Sequence, residues 1–162
     1  MSDLDNREKS YTVDELLAEM EPQYRVYRGT IRDCIAGLTG HAAQLAAEGE
    51  EGQLPTLRRM IGDMSDFWGL AEDTAPKACQ ETREHYEAAF DQAVSAARAS
   101  GSAPELSEQA RADTLAGLEL HAQEMSATGD MEEWIDEADS LAAQLRTEWG
   151  METPQTGGMR FE

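Results

Sequence analysis

Residues 24–45 read YRVYRGTIRDCIAGLTGHAAQL, and this stretch decides the fold. Its apolar side chains recur at intervals of three and four residues, which places them on one side of a long α-helix. They are Tyr24, Tyr27, Ile31, Ile35, Leu38, Ala42 and Leu45. A stripe of this kind faces a core, so we expect other helices to pack along it.

Four further amphipathic patterns follow, separated by short polar or glycine-containing breaks. Their apolar faces are Leu57, Met60, Ile61, Met64, Phe67 and Trp68, then Cys79, Tyr86, Phe90, Ala93 and Ala97, then Leu106, Ala110, Leu118, His121 and Met125, and finally Trp134, Ile135, Ala138, Leu141, Leu145 and Trp149. Strand-like alternation and internal repeats do not occur. The sequence therefore predicts an all-α protein, a compact antiparallel bundle of four to five helices. A partly open sheet of helices is the alternative.

Helix ends are predicted from capping residues, prolines and glycines. The predicted N-caps are Thr12, Asp73 or Thr74, Ser102 and Asp130. Pro22 either kinks a short first helix or lies in the first turn of the next one, and Pro55 suits a first turn after the break at 48–53. Gly129 and Gly150 are expected to end the last two helices.

The length of 162 residues suits one domain. We expect a flexible acidic N-terminus over 1–11, a single helical-bundle domain over 12–150 and a mobile C-terminal tail over 151–162. Apolar runs of the ~20 residues needed to span a bilayer are absent from the sequence. The polar N-terminus does not read as a signal peptide. Cys34 and Cys79 read as buried thiols of a reducing compartment, which predicts a cytoplasmic protein.

The net charge is the most informative feature of the composition. The chain carries 33 acidic and 13 basic residues, a formal charge of −20. Such a charge repels nucleic-acid phosphates and anionic membranes, so we expect no direct binding to either, and it attracts basic surfaces. Residues 101–152 hold thirteen acidic residues and two arginines, a charge of −11.

Five acidic residues crowd two turns of the last helix, and like charges at this spacing repel one another. They are Glu132, Glu133, Asp136, Glu137 and Asp139. The pattern predicts a docking surface for a partner protein with a basic surface, since such a partner would relieve the repulsion. Trp149, at the end of the same helix, is predicted to add an apolar contact. A merely solvated outer face is the alternative interpretation.

A basic patch is the opposite feature. Arg25, Arg28 and Arg32 are spaced by three and four residues and so share one side of the long helix. Arg58 and Arg59 would extend this patch. The arginines either pair internally with acidic helices or contact an acidic segment of a partner.

Signatures of chemistry are absent from the sequence. It holds no glycine-rich phosphate loop, no Gly-x-Ser-x-Gly and no His-Glu-x-x-His, so we expect a protein that is not an enzyme and uses no cofactor. A zinc site would require convergence of Cys34, His41, Cys79 and His121. Their spacing does not predict it, and no metal is expected.

Three kinds of function remain. The leading hypothesis is a non-enzymatic binding protein, an accessory subunit, adaptor or inhibitor that docks a basic surface. The first alternative is a nucleic-acid mimic that inhibits a DNA- or RNA-binding machine. The last two helices carry about one charge per 3 Å of length, against about one per 1.7 Å of duplex DNA. The second alternative is a structural subunit that forms homo-oligomers through its helices.

Overall fold

The computed structural model describes the backbone of residues 13–73, 82–129 and 131–151, and the side chains of 26–71, 82–129 and 131–151. Within these ranges the chain forms five α-helices and a 3-10 helix, without a strand. They are α1 (Val13–Ala47), α2 (Leu54–Trp68), the 3-10 helix Leu70–Asp73, α3 (Arg83–Ser100), α4 (Glu108–Thr128) and α5 (Glu132–Glu148). The all-α prediction is confirmed.

The bundle is organised around α1, which packs against α4, α3 and α2, while α5 packs on α4 and α3 on α2. Cys34 of α1 contacts Thr114, whereas Gly40 lies against Leu106, so α1 and α4 run antiparallel. The predicted antiparallel bundle is therefore confirmed.

The first helix is longer than the sequence predicted. It runs without interruption for 35 residues from Val13 to Ala47 and so passes through Pro22. The alternative that placed Pro22 in the first turn of a separate helix is therefore wrong. Pro22 removes one backbone hydrogen bond, and the apolar stripe that follows it packs α1 into the bundle. Thr12, the predicted cap, lies outside the described residues.

The core follows the predicted apolar faces closely. Ile31, Leu38, Phe90, Leu118 and Leu145 are buried as predicted. Two further residues predicted to be buried, Tyr27 and Ile135, are only half-buried and pack against the edge of the core.

Helix starts show where local signals were overridden. Pro55 lies in the first turn of α2, as predicted. The cap of α3 is Thr82, whose hydroxyl accepts a hydrogen bond from the His85 N–H at 3.2 Å. The prediction of Asp73 as this cap is wrong, since Asp73 ends the 3-10 helix. The alternative cap, Thr74, and the predicted core residue Cys79 lie outside the described residues.

The start of α4 is also later than predicted. Its cap is Ser107, whose hydroxyl accepts from the Ala110 N–H at 3.0 Å, and not Ser102. Tertiary contacts explain the difference, because Gln44 of α1 donates to the Pro104 carbonyl at 3.2 Å and Leu106 packs over Gly40. These contacts hold the segment before Ser107 out of the helix.

The cap of the last helix lies one residue after the predicted one. Met131 occupies the cap position of α5 and forms no side-chain cap hydrogen bond, so the prediction of Asp130 is wrong. The acidic first turn, Glu132 and Glu133, instead stabilises the positive end of the helix dipole. Gly129 and Gly150 end α4 and α5 as predicted, the latter with a left-handed φ of 66°.

Two glycines bring α1 and α4 unusually close. A Cβ atom on Gly117 would lie 2.3 Å from the Cys34 Cβ, and one on Gly37 would lie 1.7 Å from the Thr114 hydroxyl. The Cys34 thiol is fully buried and donates to the Thr114 carbonyl at 3.3 Å. Burial, with a smaller effect of Asp33, raises the pKa of this thiol, so it is a packing residue and a poor nucleophile.

Among the described helices, none combines the length and the apolar character that a bilayer span requires.

Candidate functional site

A surface groove of about 720 Å³ lies between α2 and α5 and is called here the α2/α5 groove. Each wall is supported by a different neighbour, since α2 packs on α1 and α3 whereas α5 packs on α4. The lining residues are Gln53, Thr56, Leu57, Arg59 and Met60 on the α2 side and Glu133, Trp134, Asp136, Glu137, Ser140, Leu141 and Gln144 on α5. Leu57, Met60 and Leu141 are buried and form an apolar floor.

Helical spacing explains why α5 presents these residues together. Glu133, Glu137, Ser140 and Gln144 recur at three and four residues and so lie on the side that faces α2. Another side of α5, with Ala138, Ala142 and Leu145, is buried in the bundle. The helix therefore has one face in the core and one face on the groove.

Two polar cross-links span the groove. The Arg59 guanidinium donates to the Glu137 carboxylate, and it also donates to Asp63 of its own helix at 3.0 Å. Nearer the start of α2, the Gln53 amide donates to the Gln144 carbonyl oxygen at 3.0 Å. These contacts fix the position of α5 relative to α2 at two points.

Trp134 is the residue that departs most from prediction. We expected it in the core, but it is 43% exposed, so that prediction is wrong. It lies in the first turn of α5, where it projects over the open space between α2 and α4. There it lines both the α2/α5 groove and a second cavity of about 350 Å³, called here the apolar pocket.

The apolar pocket is built from large, mostly non-polar side chains. Its lining residues are Asp63, Asp66, Phe67, His121, Met125, Met131 and Trp134. The two carboxylates belong to an ion-pair cluster, because Arg83 donates to both Asp63 and Asp66 at 2.9 Å. The pocket is therefore an apolar recess with an acidic rim.

His121 lines this pocket as a neutral side chain. Its Nδ1 accepts the indole N–H of Trp68 at 3.0 Å. Burial lowers the pKa of His121 to about 4, although Asp63 acts in the opposite direction. At neutral pH the imidazole is thus uncharged and compatible with its apolar surroundings.

No family model, curated protein or solved structure matches this chain. Its function is therefore inferred from the residues that line its cavities.

The predicted acidic site is divided by the structure. Glu133, Asp136 and Glu137 line the α2/α5 groove together. Glu132 and Asp139 are exposed but do not line it. A helix presents only about half of such a cluster to one side, and the cluster therefore supplies the groove with three carboxylates.

Trp149 does not belong to the groove. It is half-buried at the end of α5, with its ring edge-on to His41 at 5.8 Å between centroids. The Arg111 guanidinium lies over the same indole, 5.7 Å from its centroid. This predicted contact residue is therefore part of a different cluster.

Part of the predicted basic patch pairs internally, which is one of the two expected alternatives. Arg28 donates to the Trp68 carbonyl at 3.1 Å and so binds the end of α2. Arg58 pairs with Asp91 of α3 at 2.9 Å, and Arg59 pairs with Glu137, so these two do not extend the patch. Arg32 is half-buried, and the side chain of Arg25 lies outside the described residues.

A metal site is not formed by the described residues, where we find no group of three or more His, Cys, Asp or Glu side chains arranged to hold an ion. Cys34 hydrogen-bonds to the Thr114 carbonyl, His41 lies against Trp149 and His121 accepts a hydrogen bond from Trp68. These three side chains have separate surroundings.

Proposed function

We propose that this protein is a non-enzymatic binding protein whose α2/α5 groove receives a basic, amphipathic segment of a partner protein. One observation carries the proposal: an exposed tryptophan, Trp134, stands between a groove lined by carboxylates and an apolar pocket. Exposed aromatic residues beside a recess are typical anchors of protein interfaces.

The charge of the groove selects the partner. Three carboxylates line it against a single arginine, and that arginine is engaged by Glu137. Glu133 and Asp136 are exposed and make no ion pair within the described part of the chain. Lysine or arginine side chains of a partner would pair with them, mainly increasing the rate of association at low salt.

The apolar pocket selects an anchor residue. Its volume of about 350 Å³ accommodates one large aliphatic or aromatic side chain. Met125 and Met131 are flexible, so the walls adapt to the shape of that side chain. From Glu133 to Gln144 the groove follows α5 for about 16 Å, which matches about three turns of a partner helix. We therefore expect one apolar anchor followed by basic residues at helical spacing.

A protein segment is favoured over mimicry of a nucleic acid for the same reasons. A mimic would present its carboxylates to the solvent, whereas Glu137 pairs with Arg59 and Glu119 with Arg146. An apolar pocket beside the charges contributes nothing to an imitation of phosphates. Mimicry and self-association remain as alternative outcomes of the experiment.

The experiment is selection of peptides from a phage-displayed random library on the intact protein, followed by measured affinities for the enriched peptides. We expect a consensus with one large apolar residue and lysine or arginine three, four or seven residues away. Two variants test the site: Trp134→Ala, and Glu133→Lys combined with Asp136→Lys. Each should weaken binding by about tenfold or more, which corresponds to about 1.4 kcal/mol.

The matched control is Glu132→Lys combined with Asp139→Lys, which makes the same charge change on the same helix outside the groove. It should weaken binding much less. Equal losses from both pairs would mean that the overall charge is recognised, as in a mimic. Enriched peptides without basic residues, or unchanged affinity of the groove variants, would contradict the proposal. Selection of segments from this chain itself would indicate self-association.

A further inference from the structure

A third cavity, of about 620 Å³, lies where α1 and α5 end. We call it the terminal pocket. It shares no lining residue with the α2/α5 groove. Its walls come from the end of α1, the segment 101–105, the first turn of α4 and the end of α5. The polar residues that matter are His41, Arg111, Glu48, Glu105 and Glu148, with Trp149 beside them.

His41 is a buried polar residue that lines this pocket. Only 3% of its surface is exposed, and its Nε2 has no hydrogen-bond partner among the described residues. Burial lowers the pKa of His41, whereas Glu148 and Glu48, which line the same pocket, act in the opposite direction. A buried nitrogen without a partner is unfavourable, so a ligand oxygen that reached it would be stabilised.

Arg111 is the second unusual group. Arg58, Arg59, Arg83, Arg98 and Arg146 each pair with a carboxylate. Arg111 makes no ion pair within the described residues, although three glutamates line the same pocket, and its buried Nε has no partner there. Its guanidinium lies instead over the Trp149 indole. An arginine without a carboxylate stands out in a chain with 33 acidic residues.

The chemistry of these groups defines a ligand. The Nε–Nη edge of a guanidinium binds a carboxylate through two parallel hydrogen bonds, and His41 adds a third polar contact. A simple anion would be repelled by Glu48, Glu105 and Glu148, whereas an ammonium group would be attracted by them. A ligand that carries both groups satisfies both conditions, and the volume lies within the usual range for small-molecule sites.

We propose that the terminal pocket binds a free α-amino acid, with the carboxylate on Arg111 and His41 and the ammonium group toward Glu48 and Glu148. Trp149 contacts both His41 and Arg111 and so forms part of the wall beside their unpartnered nitrogens. Trp149 is the C-cap of α5 and is followed by Gly150 in a left-handed conformation, which ends the helix at this point.

The test uses the full chain with isotopic labels, titrated with each standard L-amino acid in turn. We expect at least one amino acid to shift the side-chain resonances of Arg111 and His41 and to change the fluorescence of Trp149. For that amino acid, the N-acetyl derivative lacks the ammonium group and the amide derivative lacks the carboxylate. Each derivative should bind more weakly than the free amino acid, by about tenfold or more.

Variants separate the two halves of the site. Arg111→Lys retains the charge but removes the fork, and it should weaken binding by about tenfold or more. Glu48→Gln with Glu148→Gln changes two exposed residues, so folding is retained, and it should weaken binding of the free amino acid but not of its N-acetyl form. Arg98→Lys, which alters the pair with Glu51 outside the pocket, is the control and should bind like the wild type.

Three results would overturn the proposal. The first is that no amino acid shifts the Arg111 and His41 resonances at millimolar concentration. The second is equal binding of the N-acetyl derivative, which would indicate a simple anion site. The third is unchanged binding by Arg111→Lys. If that variant fails to fold, the double glutamine variant decides. Glu133→Lys with Asp136→Lys should leave this binding unchanged, which keeps the result independent of the α2/α5 groove.

Discussion

Trp68 of α2 donates its indole N–H to Nδ1 of His121 of α4, at 3.0 Å and out of contact with bulk water. The hydrogen bond requires an imidazole that is not protonated at Nδ1. Burial favours the same state, because it lowers the pKa of His121 to about 4.

The first prediction is loss of stability in mild acid. The unfolded chain binds a proton at His121 near its ordinary pKa of 6.5, whereas the folded chain resists protonation down to about 4. The stabilisation is thus fully present above pH 6.5 and is lost as the pH falls toward 4, by up to about 3 kcal/mol. Urea unfolding of the wild type and of His121→Asn across this range measures the difference.

Asparagine keeps an acceptor for the indole but does not titrate in this range. The difference in unfolding free energy between wild type and variant should therefore vary between pH 6.5 and 4. A constant difference, or an NMR titration that places the His121 pKa near 6.5, would contradict this description.

The second prediction concerns the contact between α1 and α4. Gly117→Ala places a methyl group 2.3 Å from the Cys34 Cβ and 3.2 Å from the Thr30 carbonyl, so the helices must separate. We expect destabilisation by about 1–3 kcal/mol, as measured by chemical denaturation. Gly29→Ala is the control, because nothing lies within 4 Å of its added methyl. It should stabilise α1 by about 0.5–1 kcal/mol. Similar effects of the two changes would refute the close packing.

The third prediction compares two serines. Ser107 caps α4, and Ser107→Ala should destabilise the protein by about 1 kcal/mol. Ser102, the residue predicted as the cap, hydrogen-bonds to Ser100 in its own segment, so Ser102→Ala should change stability by a few tenths of a kcal/mol at most. Thermal denaturation of the two variants decides between the local pattern and the structure, and the reverse order would support the pattern.

The fourth prediction concerns the electrostatic potential around Trp134. The side chain is exposed beside Glu133 and Asp136, so a cationic quencher should be concentrated there and an anionic one repelled. We expect caesium to quench the tryptophan fluorescence more efficiently than its intrinsic strength predicts, and iodide less. Trp134→Phe should reduce this difference, since Trp68 is buried and Trp149 is only half-buried. Equal behaviour of the two ions would mean that the groove is not negative.

The fold was predictable because it depends on periodicity. The spacing of Ile31, Leu38, Leu118 and Leu145 was sufficient to place them in a core. Capping was less predictable, since Ser102 and Ser107 are chemically alike and only contacts from α1 distinguish them. Such contacts join residues far apart in the chain, so the local sequence around each serine does not reveal them.

The candidate groove was predictable on one wall only. The acidic crowding on α5 pointed to Glu133, Asp136 and Glu137. The opposite wall on α2, with Arg59, could not be paired with α5 without knowing the packing. The exposure of Trp134 was missed for a similar reason, because its helical position matches the core face and only the open space beneath it decides otherwise.

The packing of α2 and α5 on different helices has a mechanical consequence. The walls of the α2/α5 groove rest on different neighbours, so above the apolar floor its width depends on the contacts Arg59–Glu137 and Gln53–Gln144. If a bound partner segment replaced these polar contacts with its own, α5 could tilt on α4 while the interior stays packed. The groove is thus a compliant element attached to a stiff frame, and four surface side chains limit the movement of its upper walls.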